Sequence, residues 1–320
     1  MKKFVFAFVG TLAFIALSCE ASSSQETTTL TNERSTQAVI DSQLIPFPYD
    51  LQQPEKTITL PPELVEVSGL SYVDEQTLAM VQDEKGFVFH LDLVSDSIRN
   101  RIRFGKSGDY EGIEVIGDTT YVVKSNGKIY RIANLDQAEP SVTKYETPLS
   151  EEEDVEGLGY LSAQGKLLLV CKEPIVINGR EVEEQRSVFA FDLKQKRLLP
   201  QVFFPIHLLD IKQYMTQTAT TEAEKNRAAD FNPDKKSAFK PSGIAQHPQS
   251  GHFYVIASNG KLMVVLNKSY QVVQVQPLSK EIFTQPEGIA FSPSGTLYIS
   301  NEGKGGSGTV LVFPAQVHNR

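Results

Sequence analysis

Three glutamates recur in one local setting: Tyr110-Glu111-Gly112-Ile113, Val155-Glu156-Gly157-Leu158 and Pro286-Glu287-Gly288-Ile289. Two serines fill the same slot, in Val67-Ser68-Gly69-Leu70 and Pro241-Ser242-Gly243-Ile244. After each slot come a glycine, a short apolar run, a turn and a second apolar run that ends in polar residues. Those ends are Asp83-Glu84, Lys124, Lys172-Glu173, Ser258-Asn259 and Asn301-Glu302. Two apolar runs around a turn read as an antiparallel hairpin. A hairpin lays the start of its first strand beside the end of its second, so slot and polar end share an edge. Brought together, the carboxylates repel one another. They must take up protons, pair with Lys124 and Lys172, or bind a hard cation. An irregular ring of oxygen ligands suits Ca²⁺ better than Mg²⁺ or zinc. The competing reading is that each glutamate caps backbone N–H groups of a neighbouring element. Convergence of charge favours the cation.

The elements that must position these residues repeat. The slots lie 43, 45, 86 and 45 residues apart. A period near 45 residues with four short strands per unit predicts an all-β chain folded as a β-propeller. The first strand of each blade would line the central channel, and the five slots would ring one of its mouths. The long interval hides either a sixth blade or insertions in the third. Insertions are favoured, because residues 208–227 are rich in Thr, Glu and Ala and show no alternation. Five blades are therefore expected, six being the alternative, with a helical or loop insertion near residues 205–237. The chain ends after the third strand of its last unit. The isolated strand at residues 57–60 is expected to supply the missing fourth and leave no open edge.

Composition narrows the function. The formal charge is −8, and −10 without Lys2 and Lys3. An acidic chain with no basic cluster is a poor ligand for nucleic acid. Cys19 and Cys171 are its two cysteines, so neither a disulfide framework nor a cysteine metal site is expected. Cys171 closes an apolar run and reads as a small buried hydrophobe. The five histidines show no helical pairing and argue against zinc. Lys2 and Lys3 precede 14 apolar residues, too few to span a bilayer. Residues 1–18 therefore read as a secretory signal. Ala16-Leu17-Ser18-Cys19 resembles a lipobox, although Ala16 stands where leucine is usual. The resemblance implies cleavage before Cys19, acylation of Cys19 and a place in the bacterial cell envelope, on the periplasmic or surface side of the outer membrane. Residues 19–45, dominated by Ser, Thr, Gln and Glu, read as a disordered tether, and residues 46–320 as the propeller.

The five slot motifs together resemble the SdiA-regulated propellers, distant relatives of NHL-repeat proteins and of calcium-dependent, esterase-like phytases. The resemblance covers roughly residues 55–315 and rests on the order Ser68, Glu111, Glu156, Ser242, Glu287. It implies a five-bladed propeller holding Ca²⁺ through Glu111, Glu156 and Glu287, extended by Glu173 and Glu302. Ser68, Asp83, Lys124, Lys172, Ser242 and Asn301 are candidates to contact a small-molecule or protein ligand on that face. The insertion departs from the family pattern and could cover the mouth. The expectation is a monomeric envelope protein that binds a ligand. The alternative is a calcium-dependent hydrolase of phosphoesters or lactones, for which Lys124 and Lys172 supply few phosphate-binding charges.

Overall fold

The computed structural model describes residues 47–316, apart from 136, 138, 139, 178 and 179. The expected signal, Cys19 and the tether lie outside the described residues. Five antiparallel sheets stand around one axis, each starting on an inner strand: Val67–Asp74, Tyr110–Ile116, Val155–Leu161, Lys240–Gln246 and Pro286–Phe291. Each inner strand packs against the next, and the fifth returns to the first. The protein is therefore a five-bladed β-propeller.

The second strands explain why the sequence lacks simple alternation. Thr77–Gln82 is buried throughout, because each sheet is covered on both faces by its neighbours. Leu78 and Met80 pack toward blade five, whereas Ala79 and Val81 pack toward blade two. The same division gives five apolar clusters, each between two adjacent blades. Cys171 lies buried in the one between blades two and three.

Ring closure follows the expected route. Lys56–Thr59 pairs antiparallel with Thr309–Phe313 as the outer strand of blade five, and Ile58 is buried beneath it. The first and last segments of the propeller are thus joined by a ladder of backbone hydrogen bonds.

Blade three carries the insertions. Two short strands, Arg197–Leu198 and Phe204–His207, both pair with its third strand, Gln185–Asp192. Helices α1 (Leu208–Thr218) and α2 (Glu222–Asp230) follow. On α1, Leu208, Ile211 and Met215 form one apolar face. Thr221 and Glu224 form a reciprocal capping box at the start of α2. The expectation that this insertion covers the channel mouth is corrected. Its apolar residues fill the seam between blades three and four, and the Tyr214 hydroxyl bonds Gln274 in the outer strand of blade four at 3.0 Å.

The inner strands approach unusually closely at the glycines after the slots. A Cβ on Gly69 would lie 2.9 Å from Gly112 Cα, and one on Gly157 would lie 2.9 Å from Gly243 Cα. One on Gly243 would come within 2.5 Å of the Glu287 carbonyl, and one on Gly288 within 2.7 Å of the Leu70 nitrogen. Backbone cannot withdraw as a flexible side chain can, so an added methyl must push two blades apart. Gly243→Ala is expected to destabilise by about 2–3 kcal/mol in denaturant titration. Gly165→Ala, at a left-handed turn with open space around it, should cost about 1 kcal/mol. Equal losses at the two sites would mean that the close approach is unimportant.

Candidate functional site

Every inner hairpin shifts register at its slot. The shifts fall between Val67 and Leu70, Tyr110 and Gly112, Val155 and Gly157, Pro241 and Gly243, and Pro286 and Ile289. Such a bulge leaves a residue unpaired and re-aims its side chain. The result is a cavity of about 280 Å³ at the channel mouth, lined by Ser68, Glu111, Glu156 and Glu287 together with strand-end and loop residues.

Its walls carry the carboxylates of Glu66, Asp83, Glu111, Glu156, Glu287 and Glu302, faced by Lys172 and Lys304. Burial raises the proton affinity of Glu111 strongly, and repulsion from Glu156, Asp109 and Glu287 adds to it. Glu287 is pushed up to about 8 by burial and then by Glu156. Glu156 is also raised by burial, although Lys172 opposes the shift. Lys172 hydrogen-bonds Glu156 and lies 3.2 Å from Asp154, which holds its ammonium charged. Asp83 rises to about 6 through burial and the charge of Glu66, and its buried Oδ1 has no donor.

The two serine slots do something different. Ser68 Oγ donates to the Tyr110 carbonyl and Ser242 Oγ to the Pro286 carbonyl, both at 2.6 Å. Each serine thus pins its blade to the residue just before a slot glutamate. Ser68 also lines the cavity; Ser242 is buried between blades four and five.

The strand ends divide in the same way. Asp83, Lys172 and Glu302 face the cavity, as do Ser258 and Asn259. Glu302 is held by the Gln285 amide. Lys124 lies over the Tyr110 ring at 5.7 Å and outside the cavity wall. Glu173 turns toward blade four, where Lys240 at the start of the inner strand and Lys236 at the end of the insertion bind it. Its burial would raise its proton affinity, but the two lysines prevail and lower it. Asn301 is buried and donates to the Ile282 carbonyl at 3.1 Å, leaving its Oδ1 without a donor.

Asp109, Asp154, Glu66 and Gln285 were missed as members of this environment. Each lies two residues before a slot, in the connection that leads into the inner strand, where no strand period announces its direction. Lys304 follows the last strand end and gave no comparable signal.

The profile of the SdiA-regulated family matches residues 49–304. The chain belongs to the SdiA-regulated family. No curated protein matches it. Among solved structures it is similar to the PQQ-bound aldose sugar dehydrogenase of Streptomyces coelicolor, at 11% identity and a TM-score of 0.50, over 82% of this chain and 98% of that one. It is also similar to the glutaminyl cyclase of Myxococcus xanthus, at 14% identity and a TM-score of 0.50, over 83% and 97% of the respective chains. These likenesses concern the fold.

In this SdiA-regulated propeller the buried glutamates bind protons more tightly when folded than when unfolded. Stability from that difference is complete below the ordinary glutamate value of 4.5 and is lost as pH rises through about 8, the value for Glu287. In metal-free buffer the Tm should therefore fall between pH 5 and 8. Glu287→Gln should flatten the decline. An unchanged slope in that variant would remove the slot carboxyls as its cause.

Proposed function

We propose that this protein is a cation-stabilised binding propeller of the cell envelope, with Ca²⁺ at the slot mouth and a ligand or partner received on the same face. One observation carries the reading: six carboxylates line a mouth that offers two lysines, and one of their buried oxygens, Asp83 Oδ1, has no donor. The donor chemistry fits a hard cation, since every uncompensated group presents oxygen. Among the described residues, no three acidic or histidine side chains form a ready-made metal cage. A bound ion would thus draw Glu111, Glu156, Glu287 and Asp83 together with carbonyl oxygens or water. Its charge would replace the protons that burial otherwise keeps on the glutamates. Ser68 and Ser242 fix the backbone from which Glu111 and Glu287 project, so that side-chain movement alone would bring these carboxylates to the ion.

Calcium titration of metal-free protein at pH 8 tests this. Ca²⁺ at millimolar concentration should raise the Tm by several degrees, more than Mg²⁺ does. The double variant Glu111→Gln/Glu287→Gln should weaken binding at least tenfold, about 1.4 kcal/mol. Absence of any calorimetric or thermal response to Ca²⁺ would sink the proposal.

A hydrolase is the second reading, favoured by carboxyls whose proton affinities approach neutrality beside Lys172. Two cavity lysines are few for a polyphosphorylated substrate, which weighs against the phytase form. The binding reading expects no Ca²⁺-dependent turnover of chromogenic phosphoesters or lactones.

Anchoring belongs to the same proposal and rests on the Cys19 motif. Full-length protein expressed in bacteria should incorporate labelled palmitate and sediment with membranes. Cys19→Ala should abolish the label and release the protein; retained label would show that Cys19 is not the acceptor.

A further inference from the structure

The inner strands have a second set of ends, and these frame a larger space. Ser71, Glu114, Tyr160, Ala245 and Phe291, one from each inner strand, line a cavity of about 640 Å³. It lies at the other mouth of the channel, on the far side of the glycine ring, and shares no lining residue with the slot cavity. Its size is that of ordinary small-molecule sites, roughly 300–1,000 Å³.

The charge inside it is one-sided. Glu114 is the acidic side chain among the described lining residues. The Ser71 hydroxyl donates to Glu114 Oε2 at 3.1 Å and itself accepts the Val115 N–H at 3.1 Å. The Tyr160 backbone N–H also donates to the carboxyl group. These neutral donors fix its orientation without cancelling its charge. Burial consequently pushes Glu114 up to about 8, although both donors oppose the shift. Lys268, the lysine of this lining, is an exposed residue at the rim. His247 is kept neutral by burial, its Nδ1 accepting the Gln249 and Ser250 N–H groups.

Part of the wall of this cavity is aromatic. Tyr72, Tyr160 and Phe291 are among its lining residues, and Asp74 and Glu75 lie close enough to Tyr72 to raise its proton affinity after burial has done so. Ring faces attract a cation whose substituents are hydrocarbon, and a desolvated carboxylate supplies its counter-charge. A strongly hydrated metal ion would gain little from such walls. Near neutral pH the raised proton affinity keeps Glu114 protonated when no cation is present. An ammonium ion would displace that proton and take its place as counter-charge, which a neutral ligand cannot do.

We propose that the cavity at this mouth binds an organic ammonium ion, its nitrogen against Glu114 and its carbon substituents against Tyr72, Tyr160 and Phe291. The site is independent of the slot mouth and of whether Ca²⁺ binds there.

Choline is a suitable probe, with 3,3-dimethylbutan-1-ol as its uncharged isostere. Calorimetry and saturation-transfer NMR on the propeller with its native chain should show millimolar or tighter binding of choline. The isostere should bind at least tenfold more weakly. Glu114→Gln keeps the side chain's shape and one acceptor oxygen but not its charge, and should reduce choline affinity at least tenfold. Should that variant fail to fold, Tyr72→Leu serves in its place and should weaken choline several-fold. Choline affinity should be the same in EDTA and in Ca²⁺. Absence of choline binding, equal binding of the isostere, or full affinity in Glu114→Gln would overturn the proposal. Affinity that appears only with Ca²⁺ would assign the ligand to the slot mouth and overturn it equally.

Discussion

The structure depends on how closely five inner strands can approach one another around an axis. Glycines 69, 112, 157, 243 and 288 make that approach possible, because at each of them a neighbouring blade occupies the volume of a Cβ. The blades are then near enough for Ser68 and Ser242 to reach a carbonyl on the next blade. Apolar burial between blades supplies most of the cohesion, as five seams of side chains rather than one central core. The glycines set the radius, and the seams hold it.

That constraint also separates two chemistries. On one side of the ring the strand starts bring like charges together, so the carboxyl groups there retain protons or accept a counter-charge. On the other side, among the described residues, the strand ends place one carboxyl group in a cavity partly lined by aromatic side chains. The same burial raises proton affinity at both mouths, but the surroundings differ. Mutual repulsion contributes at Glu111 and Glu287, whereas Glu114 is shifted by burial against two hydrogen bonds.

Much of the architecture was legible because repetition survives without an alignment. Five slots at a near-constant spacing give five blades, and a lone strand before the first slot has its natural place beside the last. The helical character of the insertion was legible too. Its position was not, since Leu208, Ile211 and Met215 mark a buried face without naming what buries it. The site was legible in part. Glu111, Glu156 and Glu287 meet, with Asp83, Lys172 and Glu302 beside them. Lys124 and Glu173 occupy equivalent strand ends yet turn away, because the Tyr110 ring draws one and Lys240 and Lys236 draw the other.

The amino-acid sequence alone determined the repeat, the blade count it favours and the residues that face the axis, because strand period and turn chemistry are local. Tertiary structure decided which of those residues share a cavity and which fasten blades. It also turned Glu114, an ordinary charged residue within a strand, into the one carboxyl group that lines a second mouth among the described residues. The reason is physical: a side chain's charge state and partners depend on what the closed ring packs against it, and those neighbours come from blades dozens to hundreds of residues away.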